Sequence, residues 1–304
     1  MQALIEAQGL NLHYGRKQAL DDLSFAVQPG RVVGLLGHNG AGKTTLMKAL
    51  VGLHAAQGRL SVLGRDPFHD RVALLEDLAY IPDVAILPRW AKVSQLVELM
   101  TGLHPRFSAE RARTLLRRTS VEPDAKVKTL SKGMVVQVHL ALMAAIDARM
   151  MILDEPTLGL DVLSRKAFYE MLIDEWCDGE RSVLISTHQV EEIETLLSDV
   201  LMLNEGKLVL SLLEHDASAP LSTSIAAVIR HVERVDRPMP DISPCHRSEA
   251  GSDVPDPTRG RSAERVPTHQ VGIHQRQPGG LHPLAHGGLA LAAFARMERR
   301  SVQY

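Results

Sequence analysis

GHNGAGKT, residues 37–44, is the stretch from which the fold of this chain is read. It fills the phosphate-cradle pattern G-x-x-x-x-G-K-[ST] at every position. Gly37, Gly40 and Gly42 permit backbone conformations that turn successive N–H groups inward, Lys43 is set to reach terminal phosphates, and the Thr44 hydroxyl is set to ligate Mg²⁺. Just before it, RVVGLL (residues 31–36) predicts a buried strand. Just after it, residues 44–53 predict a helix, whose N-terminal partial positive charge adds to the site. The octet alone also fits a glycine-rich turn that matches by chance, so the rest of the chain has to decide.

With 304 residues and 45% hydrophobic content, the chain is globular and long enough for one large domain or two ordinary ones. A formal charge of −2 gives no global electrostatic case for nucleic acid or an anionic membrane surface, and no nucleic-acid partner is expected. The two cysteines, Cys177 and Cys245, have neither disulfide-framework nor zinc-site spacing, which points to a reducing compartment. The first residues lack a basic region followed by an apolar core. No run approaches the roughly 18 to 20 apolar residues of a membrane helix, so a soluble or peripheral protein is expected.

Residues 4–14 and 19–27 alternate apolar and polar side chains around turns, which predicts a small antiparallel sheet ahead of the first buried strand. Tyr14 lies in a turn before the phosphate loop and is either a base-stacking aromatic or an ordinary surface tyrosine. Residues 58–67 read as a second short β stretch, and residues 79–83 (AYIPD) as a buried strand stopped by Pro82. Three helices follow at residues 93–103, 109–119 and 134–148, forming a helical insert over about 84–148, with Ser131 as a plausible N-cap of the third. MMILDEP (residues 150–156) is an apolar strand ending in two carboxylates, as in the centre of a parallel sheet whose C-terminal edge binds ligand. Asp154 suits Mg²⁺ held through water, and Glu155 suits orienting or deprotonating an attacking water. After the turn TLGLD (residues 157–161), a helix is expected at 162–177, a strand at 181–187 with His188 directly beyond it, a helix at 190–197, and a hairpin at 200–210. A lone histidine is usually a surface residue, but the strand-end position of His188 argues for function.

These residues together resemble the nucleotide-binding subunit of an ATP-binding cassette (ABC) transporter over residues 1–213. Five motifs stand in the family's order. GHNGAGKT is similar to the Walker A loop, LSKGM (residues 130–134) to the signature loop, MMILDEP to the Walker B strand, TLGLD to the D-loop, and STH (residues 186–188) to the switch strand. The resemblance implies an α/β fold: a P-loop NTPase core with a mostly parallel sheet, an N-terminal antiparallel β subdomain and a helical insert. It also implies ATP and Mg²⁺ as cofactors, with Glu155 as catalytic base, His188 as γ-phosphate sensor and Lys43 beside them. The nucleotide would be held by Tyr14, Gly37, His38, Asn39, Gly40, Ala41, Gly42, Lys43, Thr44 and Thr45. A second cassette subunit, identical or different, would pack head to tail, so that Ser131 and Gly133 serve the neighbour's ATP and Asp161 links the two sites. Mg²⁺ would fall to Thr44, Asp154 and Asp83.

Two departures from the pattern stand out. Lys132 and Met134 replace a glycine and a glutamine of the usual LSGGQ, and Asp83 occupies the place of a glutamine. Both features resemble ATPase subunits of bacterial ABC-2-type exporters. This implies ATP hydrolysis driving separate transmembrane subunits, with the chain on the cytoplasmic face of the cell membrane. Residues 83–90 are the expected docking surface, because Val84, Ile86, Leu87 and Trp90 beside Pro82 and Pro88 would leave apolar groups exposed. An alternative is a soluble ABC-type ATPase without a membrane partner, associated with translation or repair. Another is a module that binds ATP without turnover, against which Glu155 and His188 argue.

Beyond residue 214 the composition breaks. Residues 215–304 hold 11 Arg and no Lys, against 14 Arg and 9 Lys before, together with 9 of the 16 Pro and 7 of the 14 His. Such a segment cannot build a core and reads as a disordered tail, or as the product of an out-of-frame shift near residues 215–235. A third option is a His-rich metal-binding tail, although His269, His274, His282 and His286 lack a recognisable ligand spacing.

Overall fold

The computed structural model describes residues 3–84, 87–177, 179–188 and 193–212. The order is β1 (Ile5–Tyr14), β2 (Lys17–Val27), β3 (Val32–Leu36), α1 (Lys43–Leu50), β4 (Gln57–Val62), α2 (Arg71–Leu75) and β5 (Leu78–Ile81). Then come α3 (Val93–Leu103), α4 (Ala109–Arg117), α5 (Lys132–Ala144), β6 (Met150–Asp154), α6 (Val162–Trp176), β7 (Ser182–Thr187), β8 (Asp199–Asn204) and β9 (Lys207–Leu212). Two sheets form: a three-stranded antiparallel one ordered β2-β1-β4, and a six-stranded one ordered β5-β6-β7-β3-β8-β9, parallel except for β9.

The apolar strands read from the sequence are the central ones, and their period-2 geometry divides the core. Met151 and Leu153 of β6, with Val183 and Ile185 of β7, face the helical insert and α6, where Phe168 and Trp176 are fully buried. The alternate residues, Met150, Ile152 and Leu184, face α1 and the antiparallel sheet. Continuous apolar strands are therefore required, since both faces are covered.

Helix starts follow local chemistry. Ser108, Ser131 and Asp161 accept N–H groups of Arg111, Met134 and Ser164 at the starts of α4, α5 and α6. At α3, Gln95 reaches back to the Lys92 N–H at 2.9 Å. In α1 the cap is Gly42, with no side-chain hydrogen bond, so its first-turn N–H groups are left for a ligand.

Two expected helices need adjusting, and one short helix was not expected. The helix expected at 134–148 begins at Lys132 and ends at Ala144, because the Ala145 N–H closes onto Ala141 and Met143 and Ile146 bridges to Phe107. Of the helix expected at 190–197, residues 190–192 lie outside the described residues; the described remainder holds a 3₁₀ turn, Glu194–Leu196. The five-residue α2 has no counterpart in the sequence reading. The tail from residue 214, with Leu213, also lies outside the described residues.

Candidate active site

The parallel strands converge at their C-terminal ends. β3 pairs with β7 through Leu36 and Thr187, β7 with β6 through Ser186 and Asp154, and β6 with β5 through Leu153 and Ile81. The phosphate loop, Asp154-Glu155, His188 and Asp83 therefore follow four adjacent strand ends, the ligand edge of an open α/β sheet.

The loop is held from below by the β8–β9 hairpin. His38 Nε2 lies 2.8 Å from Asn204 Oδ1, and the Gly206 N–H donates to the Ala41 carbonyl at 2.9 Å. Gly42 has φ +108, and a Cβ there would stand 2.9 Å from the Ala19 carbonyl oxygen, so the position requires glycine. Lys43, 6% exposed, bends back over the loop. Its Nζ donates to the carbonyls of Gly37 (2.7 Å) and His38 (3.3 Å) and lies 3.2 Å from Glu155 Oε1. Two carbonyls thus accept from the ammonium, and the Glu155 carboxylate pairs with it as an ion.

Glu155 is the centre of this arrangement. Its φ is +46, a left-handed conformation that costs on the order of 1–3 kcal/mol for a residue with a side chain and recurs at functional sites. Its N–H donates to Ser186 Oγ at 2.8 Å, and Ser186 donates in turn to Asp154 Oδ1 at 2.8 Å. The other carboxylate oxygen, Oε2, lies 2.6 Å from His188 Nδ1. Asp154 is fully buried, and its Oδ2 has no hydrogen-bond partner. Burial pushes its carboxyl up; the Ser186 and Thr44 hydroxyls pull against that rise, while Asp83 and Glu155 add to it.

A cleft of about 780 Å³ opens above, within the size range of small-molecule sites. It is lined by Tyr14, His38, Asn39, Gly40, Gly42, Lys43, Thr44, Thr45, Asp83 and Glu155 among the expected residues. Gly37, Ala41, Asp154 and His188 belong to the loop or the strand ends and are not among the lining residues. Tyr14 is 44% exposed and meets His54 edge to face at 5.4 Å. Ser131 and Gly133, at the start of α5, and Asp161, at the start of α6, do not line the cleft.

A model of the ABC transporter family matches residues 20–158. An uncharacterized ABC transporter ATP-binding protein of Methanocaldococcus jannaschii is 32% identical over 215 residues, covering 69% of this chain and 77% of that protein. The Nod factor export ATP-binding protein I of Burkholderia lata is 34% identical over 213 residues, covering 67% and 69%. This chain belongs to the ABC transporter ATP-binding protein family. Among solved structures, an ATP-binding subunit of an ABC transporter superposes with a TM-score of 0.66 at 26% identity, covering 74% of this chain and 99% of that one.

As an ABC subunit the chain binds and hydrolyses ATP, and its relatives are named as ATP-binding proteins or subunits of ABC transporters, one of them for Nod factor export. Among the described residues no helix is long and apolar enough to cross a membrane. Several residues of the cassette escaped the sequence reading. Ser186 stood inside the STH motif without a role, although a hydroxyl between two strand-end acids was a usable signal. Lys17, Gln18 and Glu205 line the cleft from hairpins whose approach to the loop is a tertiary fact with no local signature.

Proposed function

We propose that this chain is the ATP-hydrolysing half of a membrane exporter, and that it closes head to tail on ATP against a second cassette subunit. The observation that carries the catalytic part is Glu155, gripped between Lys43 and His188 at the mouth of the nucleotide cleft. Arriving phosphates compete for the Lys43 ammonium and release Glu155 to an attacking water. The water oxygen joins the γ-phosphorus, the bond from γ-phosphorus to the β-phosphate oxygen breaks with its electron pair leaving on ADP, and the water's proton passes to Glu155. His188, within hydrogen-bond reach of Glu155, is the γ-phosphate sensor, and Tyr14 stacks the adenine.

Mg²⁺ fits the residues present. Asp154 offers a buried, unpartnered carboxylate oxygen, with the Thr44 hydroxyl near it and Asp83 close enough to raise its pKa. Among the described residues no three His, Cys, Asp or Glu side chains gather as a metal cage, as suits an ion held mainly by phosphates and waters. When bound, Mg²⁺ would neutralise charge developing on the phosphate oxygens.

Ser131, Gly133 and Asp161 would serve the second subunit's site, which is consistent with their place outside this chain's own cleft. Export is supported by the relative named for Nod factor export, with no substrate assigned to this chain. The docking surface for the transmembrane partner would be a second cleft of about 420 Å³ beside Pro82, Val84 and Leu87. Val84, which lines it, is mostly exposed, as is Trp90, which does not line it, and Ile86 lies outside the described residues. Arg89 and Lys128 line this cleft, which favours an apolar partner segment carrying acidic residues. Residues 1–213 would form the cassette, on the cytoplasmic face of the membrane, and residues 214–304 a separate tail.

Steady-state ATP turnover with Mg²⁺ tests the catalytic reading. Lys43→Ala should lose both nucleotide binding and turnover, whereas Glu155→Gln should bind ATP but turn it over at least about 100-fold more slowly. A Glu155→Gln protein with unchanged turnover would remove the base from Glu155.

A further inference from the structure

Lys132 takes the place of a glycine in the usual signature pattern, and the structure gives its side chain an occupation. It is exposed, yet Nζ donates to the Leu158 carbonyl, 26 residues further on, in the turn between β6 and α6. That turn is folded around the ammonium. The Leu158 N–H donates to Glu155 at 3.1 Å and the Leu160 N–H to Thr157 at 3.1 Å, while Gly159, at φ +71, presents no Cβ; one there would stand 2.8 Å from Nζ.

A second contact joins the same two segments. A Cβ at Gly133 would lie 2.4 Å from Ser164 Oγ, and Ser164 is hydrogen-bonded through both N–H and Oγ to the Asp161 carboxylate that caps α6. Leu158 lines the nucleotide cleft and the second cleft alike, and Lys132 lines the second. Among the described residues no carboxylate pairs with Lys132.

We infer that Lys132 is a positioning residue. Its ammonium clamps the Leu158 carbonyl, fixing the turn that follows the catalytic glutamate and tying the wall of the nucleotide cleft to the cleft beside it. It touches neither nucleotide nor reacting water in this role. The inference rests on the functional reading above only for its kinetic consequence.

The test uses the full chain with Lys132→Met, which keeps the stem and removes the charge, and Lys132→Arg, which keeps a donating cation. In the nucleotide-free protein, hydrogen exchange at the Leu158 and Leu160 amides should quicken by about fivefold or more in Lys132→Met, with β6 and β7 amides unchanged. ATP turnover should show kcat lowered about five- to twentyfold with KM within twofold, and Lys132→Arg should restore both readouts to within about twofold. Unchanged exchange in Lys132→Met overturns the clamp. So does a raised KM at unchanged kcat, which would assign the lysine to nucleotide binding. If the wild type hydrolyses no ATP, the catalytic reading fails, while the exchange comparison still decides the clamp.

Discussion

Acidification should destabilise this protein through one buried histidine, His139, in the middle of α5. It is 6% exposed, its Nδ1 has no hydrogen-bond partner, and burial lowers its pKa from 6.5 to about 4. The imidazole is therefore neutral in the fold wherever the unfolded chain would protonate it. Because the unfolded state binds more protons between pH 6.5 and about 4, stability is highest above that window and falls as the pH drops through it. At about 1.4 kcal/mol per pH unit, the full displacement amounts to about 3 kcal/mol, of which about 2 kcal/mol is lost on going from pH 7.5 to pH 5. Carboxylates also titrate near the lower limit, so the informative quantity is a difference between proteins. His139→Leu fills a similar volume and cannot titrate. Urea unfolding at pH 7.5 and pH 5 should show the wild type losing about 2 kcal/mol more than the variant, or roughly 4–8 °C in thermal midpoint. Equal losses in the two proteins would mean that His139 does not carry the acid sensitivity. A variant that lost more would reverse its sign.

Three further outcomes follow from the site. Asp154→Asn should abolish Mg²⁺-dependent turnover yet leave the nucleotide-free protein as stable or a few degrees more so in a thermal melt, since burial already opposes the charge and an amide oxygen can still accept from Ser186. Gly42→Ala should cost about 1–3 kcal/mol in urea unfolding and eliminate ATP binding by titration, because φ +108 and the Ala19 carbonyl leave no place for a Cβ. A chain ended after residue 213 should keep the wild-type ATP affinity, and a loss of more than about tenfold would show that the tail is part of the cassette.

Much of this was legible because each signal is local. The phosphate loop is a contiguous pattern, the central strands are contiguous apolar runs, and α3 is read to the residue because Gly102 and Pro105 punctuate its periodicity. The third insert helix runs from Lys132 to Ala144 and not from 134 to 148, because the apolar character of residues 134–148 continues past its end without a breaker. Residues with named roles, Lys43, Glu155 and His188, could be listed from sequence, but not their mutual grip, which depends on the β3-β7-β6 pairing. His139 gave no sign: one histidine in an apolar helix does not say which side is buried. The Lys132–Leu158 contact was equally hidden, because it joins two elements through a backbone carbonyl, a group every residue carries.

The central claim is that this chain is half of an ATP-closed pair whose Glu155 drives hydrolysis. Size-exclusion chromatography with light scattering on Glu155→Gln, with and without Mg²⁺ and ATP, tests it most directly. Added ATP should shift the protein from the 33.4 kDa monomer to twice that mass, the trapped pair persisting because hydrolysis is blocked. A variant that binds ATP and stays at monomer mass, alone and when mixed with any second cassette subunit co-expressed with it, would contradict it.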